Sequence, residues 1–409
     1  MSQPTKKGFV NFLQEFSIPL IAGVLVALVF ANLAWEQYEH LIHWEPIAGW
    51  KIFGHKVTFH FLINDIFMVF FFGIAAKEIT EAALPGGSLN PMKKAINPLF
   101  ATIGGVAGPV GVFFLAVAMM GGASDFEPYT AAELNNGWGV PTATDIALAW
   151  LVARAVFGAG HPAVNFLLLL AVADDAIGLG IIAIFYGDPE HPAAPKWLLL
   201  VLAGMVLAYA LRRMRIMRWW PYIFVAGTLS WSGLLLANLH PALALVFVVP
   251  FLPGPERDTG LFAEDEDDHH SKVHGHSPLE NYEHQTKLFV DLGLFFFALA
   301  NAGVQFAGIG TMTWIILGAL IVGKTVGITF FGLLGKALGF SLPNGMGVRE
   351  LVMAGFVAAL GLTVALFVAD PAFPNPELQG QAKMGALFSG FVGLAAILLG
   401  RVMGIKRVN

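Results

Sequence analysis

The chain has 409 residues, 56% of them hydrophobic and only 12% charged, with a formal net charge of −5. Soluble domains carry about twice that charged fraction, so the composition excludes an ordinary soluble domain and points to a polytopic membrane protein. With no cysteine, disulfides, thiolate metal sites and thiol redox chemistry are excluded as well.

Twelve apolar windows follow one another along the chain. Each is continuous over about 20 residues rather than alternating over about 10, so helices are predicted and a transmembrane barrel is not. The first, 17–34, follows Lys6 and Lys7; it is long for a signal-peptide core and has no small-residue cleavage site before Trp35. It reads as a retained helix. Windows 59–80 and 97–120 come next. The fourth, 133–157, contains "GWGVPTATDIALAW", where Pro141 lacks an N–H and Gly139 and two threonines stand beside it. An unwound segment just before Asp145 is predicted there. The fifth, 162–185, carries Asp174 and Asp175 in the middle of "LLLLAVADDAIGLGII". Windows six to eight are 197–211, 221–237 and 240–252, the last two separated only by Asn238 to His240. From Pro253 to Gln285 the chain is polar and charge-dense, with "EDEDDHHSKVHGH" inside it, and a flexible cytoplasmic loop is predicted over 253–285. Window 287–306 follows, then 311–335 with Lys324. In 348–369, Gly361 and Thr363 mark a second, milder interruption, and 380–403 completes the set.

Lysine and arginine fix the orientation. With the N-terminus in the cytoplasm, only Lys51, Lys56, Lys196 and Lys383 fall outside and Lys324 lies within a span; the rest of the 23 basic residues fall inside. Both termini are therefore expected in the cytoplasm. The predicted architecture is all-α and polytopic, one transmembrane domain over 1–409 with about 12 helices. Two interrupted spans in corresponding positions, the fourth and eleventh, suggest inverted repeats over spans 3–5 and 10–12.

Asp145, Asp174, Asp175 and Lys324 are the ionisable residues that lie well inside spans. A charged Asp at mid-membrane costs about 2.5–3.5 kcal/mol, and such residues by default face a cavity or one another along an ion path. The bland reading is a buried salt bridge that only ties helices together. Asp174 and Asp175 lie about 100° apart around a helix, so one can face a water-filled funnel while the other faces a helix interface. A carboxylate so placed holds either a proton or a small hard cation, but not both. That competition is the core of cation/proton exchange. Asp145 is placed to compensate half-helix N-termini, and Lys324 half-helix C-termini; Lys324 is also expected to pair with Asp174, contributing either a carried proton or structural support.

The sequence resembles the NhaA-type sodium/proton antiporters, themselves a standard example of inverted-repeat transporters. The resemblance spans nearly the whole chain. It is carried by "INDIFMVFFFGIAAKE" from Ile63, "GWGVPTATDIALA" from Gly137, "LAVADDAIG" from Leu170, "SPLENYEH" from Ser277, "FALANAGV" from Phe297, "VGKTVGI" from Val322 and "GLTVALFVA" from Gly361. It implies that Asp174 and Asp175 are the cation- and proton-binding pair that holds the transported sodium, with Asp175 as its nearest ligand. It further implies that Thr144 and Asp145 belong to the unwound part of the fourth helix, that Lys324 supports the exchange site, and that Glu78, Glu283 and His284 form a cytoplasmic pH-sensing region. Asp65 matches an acidic position near the outer end of the second helix. The chain departs from the family where a basic residue and a glutamate usually follow the position of Glu78: Thr80 and Ala82 stand there, with Lys77 ahead. The function implied is electrogenic export of sodium or lithium against protons across a bacterial inner membrane. No enzyme activity, cofactor or nucleic acid is expected; lipid is the necessary partner and a homodimer is left open. A same-fold transporter of another substrate, such as an organic anion, and a cation channel are the alternatives.

Overall fold

The structure, a computed structural model, describes residues 17–255 and 277–408, apart from 86, 88, 90, 91, 121–125, 127 and 188–191. Lys6 and Lys7 and the acidic, histidine-rich run lie outside the described residues. In chain order the helices that fill the predicted windows are α1 (Ile18–Leu33), α2 (Phe59–Ala82), α3 (Met92–Met120), α4 (Ala131–Thr142), α5 (Ile146–Phe157), α6 (Pro162–Phe185) and α7 (Pro195–Arg213), with a short helix Trp35–Ile42 between α1 and α2. They continue as α8 (Tyr222–Leu236), α9 (Pro241–Phe251), α10 (Pro278–Asn301), α11 (Thr311–Ala337), α12 (Val348–Val357), α13 (Leu362–Ala372) and α14 (Pro376–Val402). Among the described residues the one sheet is a small hairpin, β1 (Lys51–Ile52) antiparallel to β2 (His55–Lys56).

Each predicted window holds a helix or a bent pair of helices. Among the described residues six helices are long and apolar enough to cross a membrane, and α4 with α5 and α12 with α13 form broken spans bent by 52° and 51°. The second interruption is therefore as sharp as the first, not milder. No proline marks it. Its freed backbone groups are instead taken up by other helices: the Leu360 carbonyl accepts from the Asp145 N–H at 2.6 Å, and the Gly361 N–H donates to Ser389 Oγ at 3.2 Å.

Two boundaries need physical comment. The turn between α8 and α9 holds because Asn238 adopts φ +57°, a left-handed conformation that Asn tolerates better than most residues. The span after it, α9, consists of two 3-10 segments, Pro241–Phe247 and Val249–Phe251. The predicted loop 253–285 is too long at its far end, because α10 already starts at Pro278. Ser277 and Glu280 make a capping box and Pro278 occupies the first helical position, which fixes the start before the chain becomes apolar.

The close approach that positions the site is between α3 and α11. A Cβ on Gly104 would stand 2.1 Å from the Gly327 carbonyl oxygen, and one on Gly108 2.2 Å from that of Gly323. Small residues let the two backbones touch, as in other membrane helix pairs. A π-helical turn, Ala319–Gly323, sits in α11 immediately before Lys324. Such turns recur at functional sites because they re-aim the side chains that follow.

Candidate cation and proton site

The two broken spans meet back to back at Asp145. The chain unwinds after Thr142, and Asp145 begins α5 with its Oδ1 accepting from the Leu148 N–H at 3.1 Å. Its other oxygen, Oδ2, accepts from the Thr363 hydroxyl at 3.0 Å and the Thr363 N–H at 3.4 Å. One carboxylate thus caps the N-termini of both α5 and α13, each of which presents unsatisfied N–H groups and a positive dipole end. Asp145→Ala should lose both caps, about 1–4 kcal/mol at 0.5–2 kcal/mol each, while Asp145→Asn keeps one acceptor and loses about half. Thermal melts in detergent, with residual transport, check this; loss of all cation binding in a folded Asp145→Asn protein would make Asp145 a ligand instead.

Beside the crossing, α6 and α11 bring together Asp174, Lys324 and Thr144. Lys324 Nζ donates to Asp174 Oδ2 at 2.5 Å and to Thr144 Oγ1 at 2.7 Å, with both charged side chains fully buried. The Thr144 hydroxyl lies 2.8 Å from Asp174 Oδ2 and 3.0 Å from the Ala358 carbonyl, and its single proton can serve only one of them at a time. Ala358 closes the C-terminus of α12, so Lys324 reaches a half-helix C-terminus through Thr144 rather than directly.

Asp175 takes the other side of α6. It is half-buried and sits within electrostatic reach of Asp174, Glu78, Asp145 and Lys324. Asp174 Oδ1 and Asp175 Oδ1 are both buried carboxylate oxygens without a hydrogen-bond partner among the described residues. Gly105 of α3 leaves room beside the first: a Cβ there would stand 3.9 Å from Asp174 Oδ1. Carboxylate oxygens left unsatisfied inside an apolar bundle suit, when ionised, a hard cation, which prefers oxygen ligands. Among the described residues no three His, Asp or Glu side chains gather to form a metal-holding cluster.

Toward the C-terminal end of α2, the residues implied as a pH sensor are only partly together. Glu283 of α10 pairs with Lys77 of α2, whose ammonium also holds Glu81 at 2.7 Å. Glu78 is half-buried one residue along, and His284 points to the exposed face of α10. Sequence reasoning noted Lys77 only as a displaced base. The spacing of Lys77 and Glu81, four apart on one helix face, was the available signal for their pairing. Thr363, a marker of the break in the sequence, also donates its hydroxyl to Asp145 Oδ2.

Residues 8–403 match the family described as Na+/H+ antiporter 1. The chain belongs to that family. Among its curated relatives, the "Na(+)/H(+) antiporter NhaA" of Desulfitobacterium hafniense (strain DSM 10664 / DCB-2) is 58% identical over 406 residues, covering 99% of this chain and 98% of the relative. The protein of the same name from Geobacter sulfurreducens is 56% identical over 400 residues, covering 98% and 99%. Among solved structures, the sodium proton antiporter MjNhaP1 from Methanocaldococcus jannaschii at pH 8 aligns with a TM-score of 0.56 at 13% identity, over 96% of this chain and 92% of that one. At that identity the likeness speaks for the fold. The Na+/H+ antiporter 1 family thus covers both broken spans and every residue of the buried cluster.

Proposed function

We propose that this protein exchanges cytoplasmic sodium or lithium for external protons, with Asp174 and Asp175 as the site where the two compete. The observation that carries the reading is the pair of unpartnered, buried carboxylate oxygens next to the Lys324–Asp174–Thr144 cluster. The cation is substrate, held briefly with Asp175 as its nearest ligand and Asp174 beside it. When the carboxylates are ionised they accept the cation from the cytoplasmic side. Cation binding favours the arrangement of the broken spans that opens outward, where protons replace it. More protons entering than cations leaving makes the exchange electrogenic, so it runs on the proton gradient of a bacterial inner membrane. The Lys and Arg distribution supports both termini lying in the cytoplasm. Names of the relatives support sodium and protons as the transported pair.

On this reading Glu78, Glu283 and His284 adjust the exchange to cytoplasmic pH. Lys77 draws Glu283 to α2, so the state of this pair bears on how α10 sits against α2 at the cytoplasmic mouth.

The test uses everted membrane vesicles acidified inside by respiration. Sodium and lithium should each dequench a pH-sensitive dye, and potassium should not. Dequenching by all three, or by none, contradicts the proposed exchange; a sodium current without proton movement indicates a channel.

A further inference from the structure

At the end of the bundle that the charge distribution assigns to the outside, four helices bring together polar side chains that the exchange site does not use. Asp370 stands near the end of α13. Its Oδ1 accepts from Gln379 Nε2 at 3.0 Å and Lys383 Nζ at 3.2 Å, both on α14. Its Oδ2 faces His60 Nε2 of α2 at 3.5 Å, and both side chains are about a quarter exposed (27% and 26%). His60 Nε2 also lies 2.9 Å from Asn64 Nδ2. Asn64 in turn exchanges two amide hydrogen bonds with Asn301 at the end of α10, at 3.0 and 2.8 Å.

The amides decide which state the imidazole is in. Asn301 Nδ2 donates to the Phe297 carbonyl at 3.0 Å, which fixes the orientation of Asn301 and therefore of Asn64. Asn64 must present N–H to His60, so Nε2 accepts and the ring is neutral. A hydrogen on Nε2 would do the opposite: it clashes with the Asn64 donor and pairs with Asp370 Oδ2. The two contacts exclude each other, and a single proton chooses between them.

We propose that His60 and Asp370 form an outward-facing proton-binding site that couples proton arrival to the position of α13. This rests on the sodium/proton exchange reading above. The coupling is mechanical. Asp370 and Thr363 lie seven residues apart on α13, on nearly the same face and about 10 Å apart along the axis. Thr363 holds Asp145 at the crossing, so closing His60 onto Asp370 pulls on the half-helix that Asp145 caps. Other charged or titratable groups around the pair are Lys383 on α14, within electrostatic range of both, His240 at the start of α9, near Asp370, and His43 at the end of the short helix before α2, near His60. Lys383 already neutralises Asp370 from the far side, which leaves Oδ2 for His60.

Two measurements test this. In proteoliposomes at fixed internal pH, exchange is followed as external pH is varied across about 5.5–8, the range in which histidine titrates. His60→Gln keeps an acceptor for Asn64 but takes no proton; its external-pH midpoint should vanish or move by roughly one unit or more. Asp370→Asn should move the midpoint toward acid, and Asn64→Leu toward alkali, opposite directions that a merely structural role would not give. An unshifted external-pH profile in His60→Gln overturns the coupling. Independently of transport, Tm is measured against pH in detergent for the wild-type chain and His60→Gln. The gap between the two curves should change across pH 5.5–8; parallel curves overturn the proton site even if sodium/proton exchange is observed. If the gap changes while no exchange is seen, the site stands and the antiport reading fails.

Discussion

Asp175→Asn is expected to abolish cation-dependent proton movement while leaving a folded protein. Asparagine has the same shape but no charge to attract a cation and no proton to exchange. Because Asp175 Oδ1 has no hydrogen-bond partner to lose, the fold should tolerate the change. Asp174→Asn is expected to differ in stability. Its Oδ2 balances the buried Lys324 ammonium at 2.5 Å, and stranding a buried charge costs about 3–5 kcal/mol. The paired measurement is dye dequenching in vesicles and Tm in detergent. Both variants should lose exchange or be severely crippled, with Tm near wild type for Asp175→Asn and lowered for Asp174→Asn. Near wild-type exchange in both would remove the two aspartates from the mechanism.

The second large effect is at Lys324. Its side chain is fully buried and donates to Asp174 and Thr144, so Lys324→Ala leaves Asp174 without its counter-charge and opens a cavity between α6 and α11. The expected loss is again about 3–5 kcal/mol. The Asp174→Asn, Lys324→Ala double variant should lose less than the sum of the singles, because the second change removes the charge that the first stranded. Transport by Lys324→Ala separates two roles. If the ammonium contributes one of the exchanged protons, exchange becomes insensitive to membrane voltage; if it only neutralises Asp174, voltage dependence survives and stability alone falls. Unchanged Tm together with unchanged voltage dependence would refute both roles.

The fold was largely legible because membranes simplify the code. A helix must satisfy its own backbone in lipid, so hydrophobic length alone located the spans. Failures came where that rule relaxes. Pro141 announced the first break, since it removes an N–H. Gly361 only hinted at the second, because what holds that bend open is borrowed from Asp145 and Ser389 on other helices. The start of α10 was placed too late because hydropathy looks for apolar residues, and a capped polar first turn is invisible to it.

Among the ionisable residues, the cost of a charge in an apolar run made Asp145, Asp174, Asp175 and Lys324 stand out singly. Of their partnerships, only that of Lys324 with Asp174 was expected. Asp145 meets Thr363 across 218 residues of sequence, and Lys324 meets Asp174 across 150. Helical periodicity describes neighbours three, four and seven apart and carries no information at such separations. The sequence by itself determined which segments lie in the membrane, where one of them must unwind and which few charges need a reason to be there. Tertiary structure decided the rest: that Asp145 caps two half-helices at once, that Lys324 neutralises Asp174 and leaves Asp175 unpaired, and that Lys77 binds Glu283. It does so because the backbones of α3 and α11 touch at glycines and the broken spans cross, and a side chain's partner in an apolar bundle is set by those contacts.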